Sequence, residues 1–367
     1  MAEGKGYIDE HGTATAWRPP GWPLLLALSY IILGPSQVWA RCIGLFISVG
    51  TIILTYFLGT TIIGRTTARI AAILQIPFLG QFGGIASLLS EPLQTFLLVL
   101  FLFLIKEYYN KWMVSSVVAG GILGLLVLTR PSHVLLVIAA FVFFVTEKST
   151  TEGVKRIFLL SIVALLVCLP WAIRNYCSFG KPMLVSNNSE SNFFIGNNPL
   201  SNGSYRAITA DEMQELKSQG YSGNGYEIGI RFFLHQPVSA VINLFRKVFH
   251  FIGRDDGAVF ASIQDRTKVP RFIIYGLASY ADGYWYLLLA TALIGMVGIS
   301  LKREDVFLLL CTAGTILITV LVYFGEGRFH TPIAPLVTLF SASGMVKLSR
   351  RGGYGVRDKD EKQTVSK

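Results

Sequence analysis

Six ionisable side chains stand where an apolar chain breaks beside Pro or Gly, and their types suit the handling of an anion. Glu91 precedes Pro92, Arg130 precedes Pro131, and Arg18 precedes Pro19-Pro20. Arg328 and His330 fall in the joint Gly325-Glu326-Gly327-Arg328-Phe329-His330, and Arg174 ends an apolar run. An ionisable group on a membrane helix costs at least ~2.5 kcal/mol when it faces lipid, so such groups usually face an internal cavity. Four arginines and a histidine set against Glu91 form an anion-binding patch. Guanidinium forks match phosphate oxygens in pairs, which makes a phosphate or diphosphate the natural ligand. Taken singly, each arginine could instead snorkel to headgroups, and His330 could be a structural hydrogen bonder. Asp255-Asp256 reads either as a turn or as a metal pair. Asp282, ahead of Gly283 and the aromatic run Tyr284-Trp285-Tyr286, reads as interfacial. No CxxC motif or His/Cys cluster marks a zinc site.

The elements that must position these groups are membrane helices. With 52% hydrophobic and 15% charged residues and a mean hydropathy of +0.53 over 367 residues, the chain has too little polar surface for a soluble globule of its size. Its apolar runs are continuous, which favours helices of roughly 20 residues over the alternating strands of a barrel. The basic joints are Arg65/Arg69, Lys106/Lys111, Lys148/Lys155/Arg156, Lys302/Arg303 and the tail from Lys347 onward. The positive-inside rule puts these in the cytoplasm and the joints at Glu91, Arg130, Arg174 and Arg328 outside. The expected fold class is therefore an all-α polytopic membrane protein with nine spans, N-terminus outside and C-terminus inside. The spans are 38–63, 68–89, 92–105, 113–128, 132–145, 157–173, 284–301, 306–324 and 332–346. The run 22–33 is too short for a further span, and a span there would reverse every later orientation. It reads as an outer re-entrant or interfacial segment, with Trp17, Trp22 and Trp39 in the interfacial belt.

The expected organisation is an outer segment at 1–37, a six-span core at 38–173, an extracytoplasmic loop domain at 174–271, three spans in 272–349 and a basic cytoplasmic tail at 350–367. The loop domain is turn-rich, with helical stretches at 210–219 and 226–253. In the second, Phe232, Phe233, Phe245, Phe249 and Phe251 interleave with Arg231, Arg246 and Lys247. That pattern suits an amphipathic helix lying on the bilayer, or equally the buried aromatic face of a small domain. The net charge of +10 does not require a nucleic-acid partner, because half of the 32 Lys and Arg lie in the cytoplasmic joints and tail, where anionic lipid accounts for them. Cys42, Cys168 and Cys311 lie within spans and Cys177 outside, so no disulfide framework is available.

Six short strings occur in order on the outer face: WRPPGWPLLLAL at 17–28, SEPLQTFLL at 90–98, LTRPS at 128–132, LPWAIRNY at 169–176, GNNP at 196–199 and GRFHTPIAPL at 327–336. Together they resemble bacterial integral-membrane glycosyltransferases of the GT-C superfamily, in the branch of protein O-mannosyltransferases and the lipid A aminoarabinose transferase. The resemblance covers about 6–347. It implies sugar transfer from a polyprenyl-phosphate donor to a lipid, glycan or protein acceptor outside the cytoplasmic membrane of a bacterium. Arg18 falls where the family's basic-Pro motif lies, near the lipid phosphate, and Glu91 matches the acid before Pro in the second outer joint. Arg328 and His330 match the basic pair before the last Pro-rich span, and Arg130, Arg174, Asn197 and Asn198 join them as substrate-binding candidates. An inverting displacement needs a base for the acceptor and cations for the leaving phosphate, a part the arginines can take in place of a metal. No cofactor is required, and a divalent metal is left open.

The chain departs from the family at its start. A first span and a first-loop acid would precede Arg18, whereas this chain opens at Met1 already outside. Asp9 and Glu10 read as solvated loop residues, and no signal peptide stands ahead of them. The expectation is a fragment or a mis-set start rather than a degenerate homologue. Two other classes stand beside the transferase: a flippase for a lipid-linked saccharide, which would share the cationic patch but calls for internal repeats and midplane charges, and a non-catalytic scaffold, which would need neither Glu91 nor the cations.

Overall fold

The computed structural model describes residues 1–147, 149–263, 269–297 and 303–351. Lys148, Lys302, the last residues of the expected seventh span and the tail beyond residue 351 lie outside them, as does the side chain of Cys311. The chain runs through α1 (Gly21–Leu33), α2 (Gln37–Ile62), α3 (Arg65–Gln75), α4 (Leu79–Ala86), α5 (Glu91–Glu107), α6 (Trp112–Thr129), α7 (Leu136–Glu147) and α8 (Thr150–Phe179). It continues through α9 (Ser189–Gly196), α10 (Ala210–Ser218), α11 (Gly225–His235), α12 (Pro237–Ile252), α13 (Gly257–Ile263), α14 (Arg271–Met296), α15 (Arg303–Val322) and α16 (His330–Arg351). Short 3-10 turns at Pro131–Leu135 and Gly327–Phe329 lead into α7 and α16. Among the described residues there is no strand, only the isolated bridges Ile8 to Ala14 and Ser204 to Gly325.

Each apolar stretch read from the sequence falls on a helix or a helix pair. By length and composition, α2, α6, α8 and the segment Gly327–Arg350 can cross a membrane, and up to six spans result if each bent pair counts as one. The stretch 68–89 is one such pair, α3 and α4, bent by 49°. The break falls at Pro77, which has no N–H to continue the ladder. The stretch 226–253, expected as one helix, is likewise two: α11 and α12 meet at 114° at Gln236-Pro237. Its aromatics divide between both readings. Phe232 and Phe251 are buried, while Phe245 and Phe249 are 72% and 73% exposed.

With lipid as the surrounding solvent, helices approach through small residues rather than through hydrophobic squeezing. Gly120 and Gly124 stand on one face of α6 and let its backbone touch α8: a Cβ at Gly120 would lie 2.6 Å from the Leu160 carbonyl, and one at Gly124 2.8 Å from that of Ala164. Gly295 of α14 and Gly344 of α16 do the same at the second tight crossing, where a Cβ on either would fall 1.9 Å from a facing carbonyl oxygen. At the start of α8, Arg156 is buried, bonded to Glu152 Oε1 (2.5 Å) and to the Tyr109 carbonyl (2.7 Å). It fastens the α5–α6 joint to the start of α8. The opposite ends of the helices converge beneath α1 and the loop domain.

Candidate active site at the ends of the helices

The WRPPGW string does its work through Trp22 and Gly21. Trp22 donates its indole N–H to the Leu88 carbonyl (2.7 Å), and Leu88 is the one described non-glycine residue at positive φ, 54°. A left-handed leucine costs roughly 1–2 kcal/mol and persists only where its surroundings hold it. Here the clamp fixes the turn that delivers Glu91 to the first position of α5, followed by Pro92 where a missing N–H costs nothing. Gly21 lies against Thr129, with no room for a Cβ (2.4 Å to Thr129 Oγ1), so α1 also holds the end of α6 and the following Arg130.

Glu91 and Arg130 then meet. Arg130 Nη1 lies 3.4 Å from Glu91 Oε1 and donates to Gln94 Oε1 at 2.9 Å, while the Gln94 amide nitrogen is 2.8 Å from His133 Nε2. Glu91 is 4% exposed. Burial pushes the Arg130 guanidinium below its ordinary value, and Glu91 beside it pushes back. Arg130 and Arg328 both pack on the Phe329 ring: their guanidinium carbons stand 4.8 and 5.5 Å from its centre. Arg328 Nε is 2.7 Å from Glu326 Oε2, but neither atom has hydrogen-bond alignment. The contact is an ion pair without direction, which leaves the outer fork of Arg328 uncommitted. Burial raises Glu326 above the usual glutamate range against the pull of Arg328 and Arg130. Between Gln94, Arg130, His133 and Phe329 lies a cavity of about 20 Å³, room for one water among polar groups.

His330 is wholly buried. Its Nδ1 is 2.8 Å from Asp255 Oδ1, its Nε2 is bonded to the Phe251 carbonyl, and its ring stacks on Trp285 at 3.9 Å and 16°. Both nitrogens are spent, so it holds the Arg328 segment against the 254–256 turn rather than reaching outward. Asp255 and Asp256 form that turn, their backbone N–H groups donating to Asp282 Oδ1 at 2.8 and 3.1 Å, and Arg254 closes it on Asp282 Oδ2 at 2.9 Å. Burial raises Asp255 above the carboxylate range, and His330 opposes it. Among the described residues no three His, Cys, Asp or Glu side chains converge on a point that could hold a metal ion.

The remaining candidates are dispersed. Arg18 is exposed and stands three residues before Gly21, which lies against Thr129. Arg174 turns to the N-terminal loop, donating to the carbonyls of Tyr7 (2.7 Å) and Thr15 (2.8 Å) while lying over Tyr7, Trp171 and Phe179. Asn197 and Asn198 are buried in a clamp. Asn197 donates to the Phe193 and Val322 carbonyls (2.7 and 2.8 Å) and accepts from Lys247 Nζ (2.7 Å), which also caps the Leu321 carbonyl (2.8 Å). Asn198 donates to the Phe194 carbonyl (2.8 Å) and accepts from Leu200 N–H (2.9 Å). The GNNP string thus ties α9 and α12 to the end of α15. Gln94, His133, Asp255 and Glu326 were not singled out from the sequence as site residues. Glu326 had a signal, lying two residues before Arg328, and so did Gln94, one helical turn after Glu91.

Residues 17–173 match the family described as dolichyl-phosphate-mannose-protein mannosyltransferase. No match is found among curated protein sequences. Among solved structures the chain resembles the oligosaccharyltransferase of Archaeoglobus fulgidus. With the zinc and sulfate complex of that enzyme it shares 19% identity and a TM-score of 0.53 over 93% of this chain and 42% of the other. With the form tethered to an acceptor peptide the values are 18% and 0.54 over 92% and 42%. With the complex holding an inhibitory peptide and a dolichol-phosphate they are 16% and 0.52 over 92% and 44%. The chain therefore spans less than half the length of these structures, and at such identities the likeness is one of fold. The chain is thus similar in fold to that enzyme along nearly its whole length, and over residues 17–173 it is similar to the mannosyltransferase family.

Proposed function

We propose that the protein is a membrane glycosyltransferase that moves a sugar from a polyprenyl-phosphate donor to an acceptor on the extracytoplasmic face of a bacterial cytoplasmic membrane. The observation that carries the reading is the meeting of Glu91, Arg130 and Arg328 around Phe329, from joints far apart in sequence, at the ends of the helices that the charge pattern puts outside. In this reading nine segments cross the bilayer, and the exposed apolar face of α12, with Val238, Phe245 and Phe249, rests on the outer leaflet.

The roles follow from how committed each group is. Arg130 is engaged by Glu91 and Gln94 and orients the carboxylate. Arg328 and exposed Arg18 keep donors for the phosphate. The acceptor hydroxyl oxygen attacks the anomeric carbon, its proton passes to the Glu91 carboxylate, and the carbon–oxygen bond to phosphate breaks with its electron pair going to the polyprenyl phosphate. Cations positioned where that charge develops stabilise the transition state more than the ground state, a contribution of about 10²–10³ in rate for one well-placed donor.

The test is transfer in proteoliposomes supplied with polyprenyl-phosphate mannose and other polyprenyl-phosphate hexoses. Glu91→Gln and Arg328→Ala are expected to remove transfer, the latter by about 10²–10³, with expression retained. Retained transfer in both variants overturns the site. Movement of the lipid-linked sugar across the bilayer with no transfer overturns the transferase reading in favour of a flippase.

A further inference from the structure

A second concavity lies between the N-terminal segment and the loop domain. The groove of about 380 Å³ is bounded by Trp17 on one side and by Asn187, Glu190, Ser191, Phe194 and Asn224 of the loop domain on the other, within the roughly 300–1,000 Å³ that small-molecule sites occupy. Its two walls are fixed to each other: Asn187 N–H donates to the Ala16 carbonyl at 3.1 Å, so the Trp17 segment and the loop domain form one frame. The loop-domain side is braced in turn by Tyr226 Oη, which donates to Ser189 Oγ at 2.7 Å, and by the ring pair Phe193 and Tyr226 at 5.4 Å.

The polar groups in this frame are left open. Trp17 is 50% exposed, a broad rigid apolar plate standing free of the protein. The Asn187 carboxamide has no partner among the described residues, while Glu190 spends one carboxylate oxygen on Gly225 N–H (2.9 Å) and keeps the other. The lining residues include one carboxylate and no cation, so a phosphate would be repelled here. An indole face beside a planar amide and a carboxylate is what a pyranose ring requires: its C–H face packs on the aromatic plane, and its hydroxyls need groups that both donate and accept.

We infer that this groove is a saccharide-binding subsite for the acceptor, with Trp17 as its stacking platform and Asn187 and Glu190 as its hydroxyl partners. Trp17 adjoins Arg18, so a sugar in the groove would lie next to the phosphate-binding side of the site. Saccharide binding rests on the groove's own chemistry. Its assignment to the acceptor rests on the transferase reading.

The experiment uses the full chain in detergent and measures saturation-transfer NMR with mannobiose, maltose and N,N′-diacetylchitobiose in the absence of any donor. At least one sugar should receive saturation from the wild-type protein, and Trp17→Ala and Asn187→Ala should each lower that signal about fivefold or more, whereas Arg328→Ala should leave it unchanged. No saturation with any of the three sugars, or saturation indifferent to both substitutions, overturns the subsite. In the transfer assay Trp17→Ala should raise the acceptor KM and leave the donor KM alone, and the reverse pattern overturns the acceptor assignment. Binding without transfer would sink the transferase reading while leaving the subsite standing, and transfer without binding would do the opposite.

Discussion

At the scale of single residues, the cations identical in type differ in what they have left to give. Arg174 and Arg328 both follow apolar runs, yet Arg174 is bound to carbonyls 159 and 167 residues away, whereas Arg328 lies over aromatic rings and meets Glu326 only in an unaligned ion pair. Nothing local separates the two, because the partner that consumes Arg174 is a loop folded back from the far end of the chain. Glu326 then controls how cationic the site is. Burial holds its carboxyl above the usual glutamate range, so protons are bound more tightly in the folded state than in the unfolded one. The stability this contributes is fully present below the ordinary value of 4.5 and is lost as pH rises through the raised folded value. Ionised Glu326 also neutralises Arg328. The binding of a polyprenyl phosphate should therefore weaken as pH rises through this window, and Glu326→Gln should bind more tightly above it and flatten the dependence. Titrating binding between pH 4.5 and 8 checks this, and an unchanged slope in the variant would remove Glu326 from the site.

At the scale of elements, position on the outer face is set by close approaches that the sequence displays only as scattered glycines. Gly120 and Gly124 repeat at a spacing of four, the small-residue signature of helix contact in membranes, while Gly121 between them has open space. Gly124→Val would drive its side chain into Val167 and the Ala164 carbonyl, at 2.6 and 2.8 Å even for the first carbon. Overpacking of this kind costs about 1–3 kcal/mol, and pushing α6 off α8 would also displace Arg130 at the end of α6. The expected result is a lower melting temperature and weaker transfer for Gly124→Val, and neither change for Gly121→Ala. The breaks at Pro77, inside an expected span, and at Pro237, inside an expected helix of the loop domain, both fall at a residue with no N–H for the ladder. The left-handed Leu88 has no such local signal, because only the indole of Trp22, 66 residues away, makes that conformation tenable.

At the scale of the whole molecule, orientation makes a prediction independent of catalysis. Cys177 is a free, exposed thiol at the outer end of α8 in the proposed topology. A membrane-impermeant maleimide should label it in intact cells, as it should a cysteine placed at Ser218 in a Cys177→Ser background, whereas a cysteine at Thr150 should react only after lysis. Labelling in the opposite sense would invert the topology and take the site off the extracytoplasmic face. What the sequence determined by itself was the membrane class, the helical content and the family the chain resembles, because apolar length, charge bias and Pro placement are properties of neighbouring residues. The tertiary structure alone decided which of the candidate groups touch. Pairing Arg130 with Glu91, burying His330 on Asp255 across 75 residues and turning Asn197 into a clamp with Lys247 each depend on segments far apart in the chain. Buried charges and amides must find partners wherever the packing offers them, and no local pattern says where that will be.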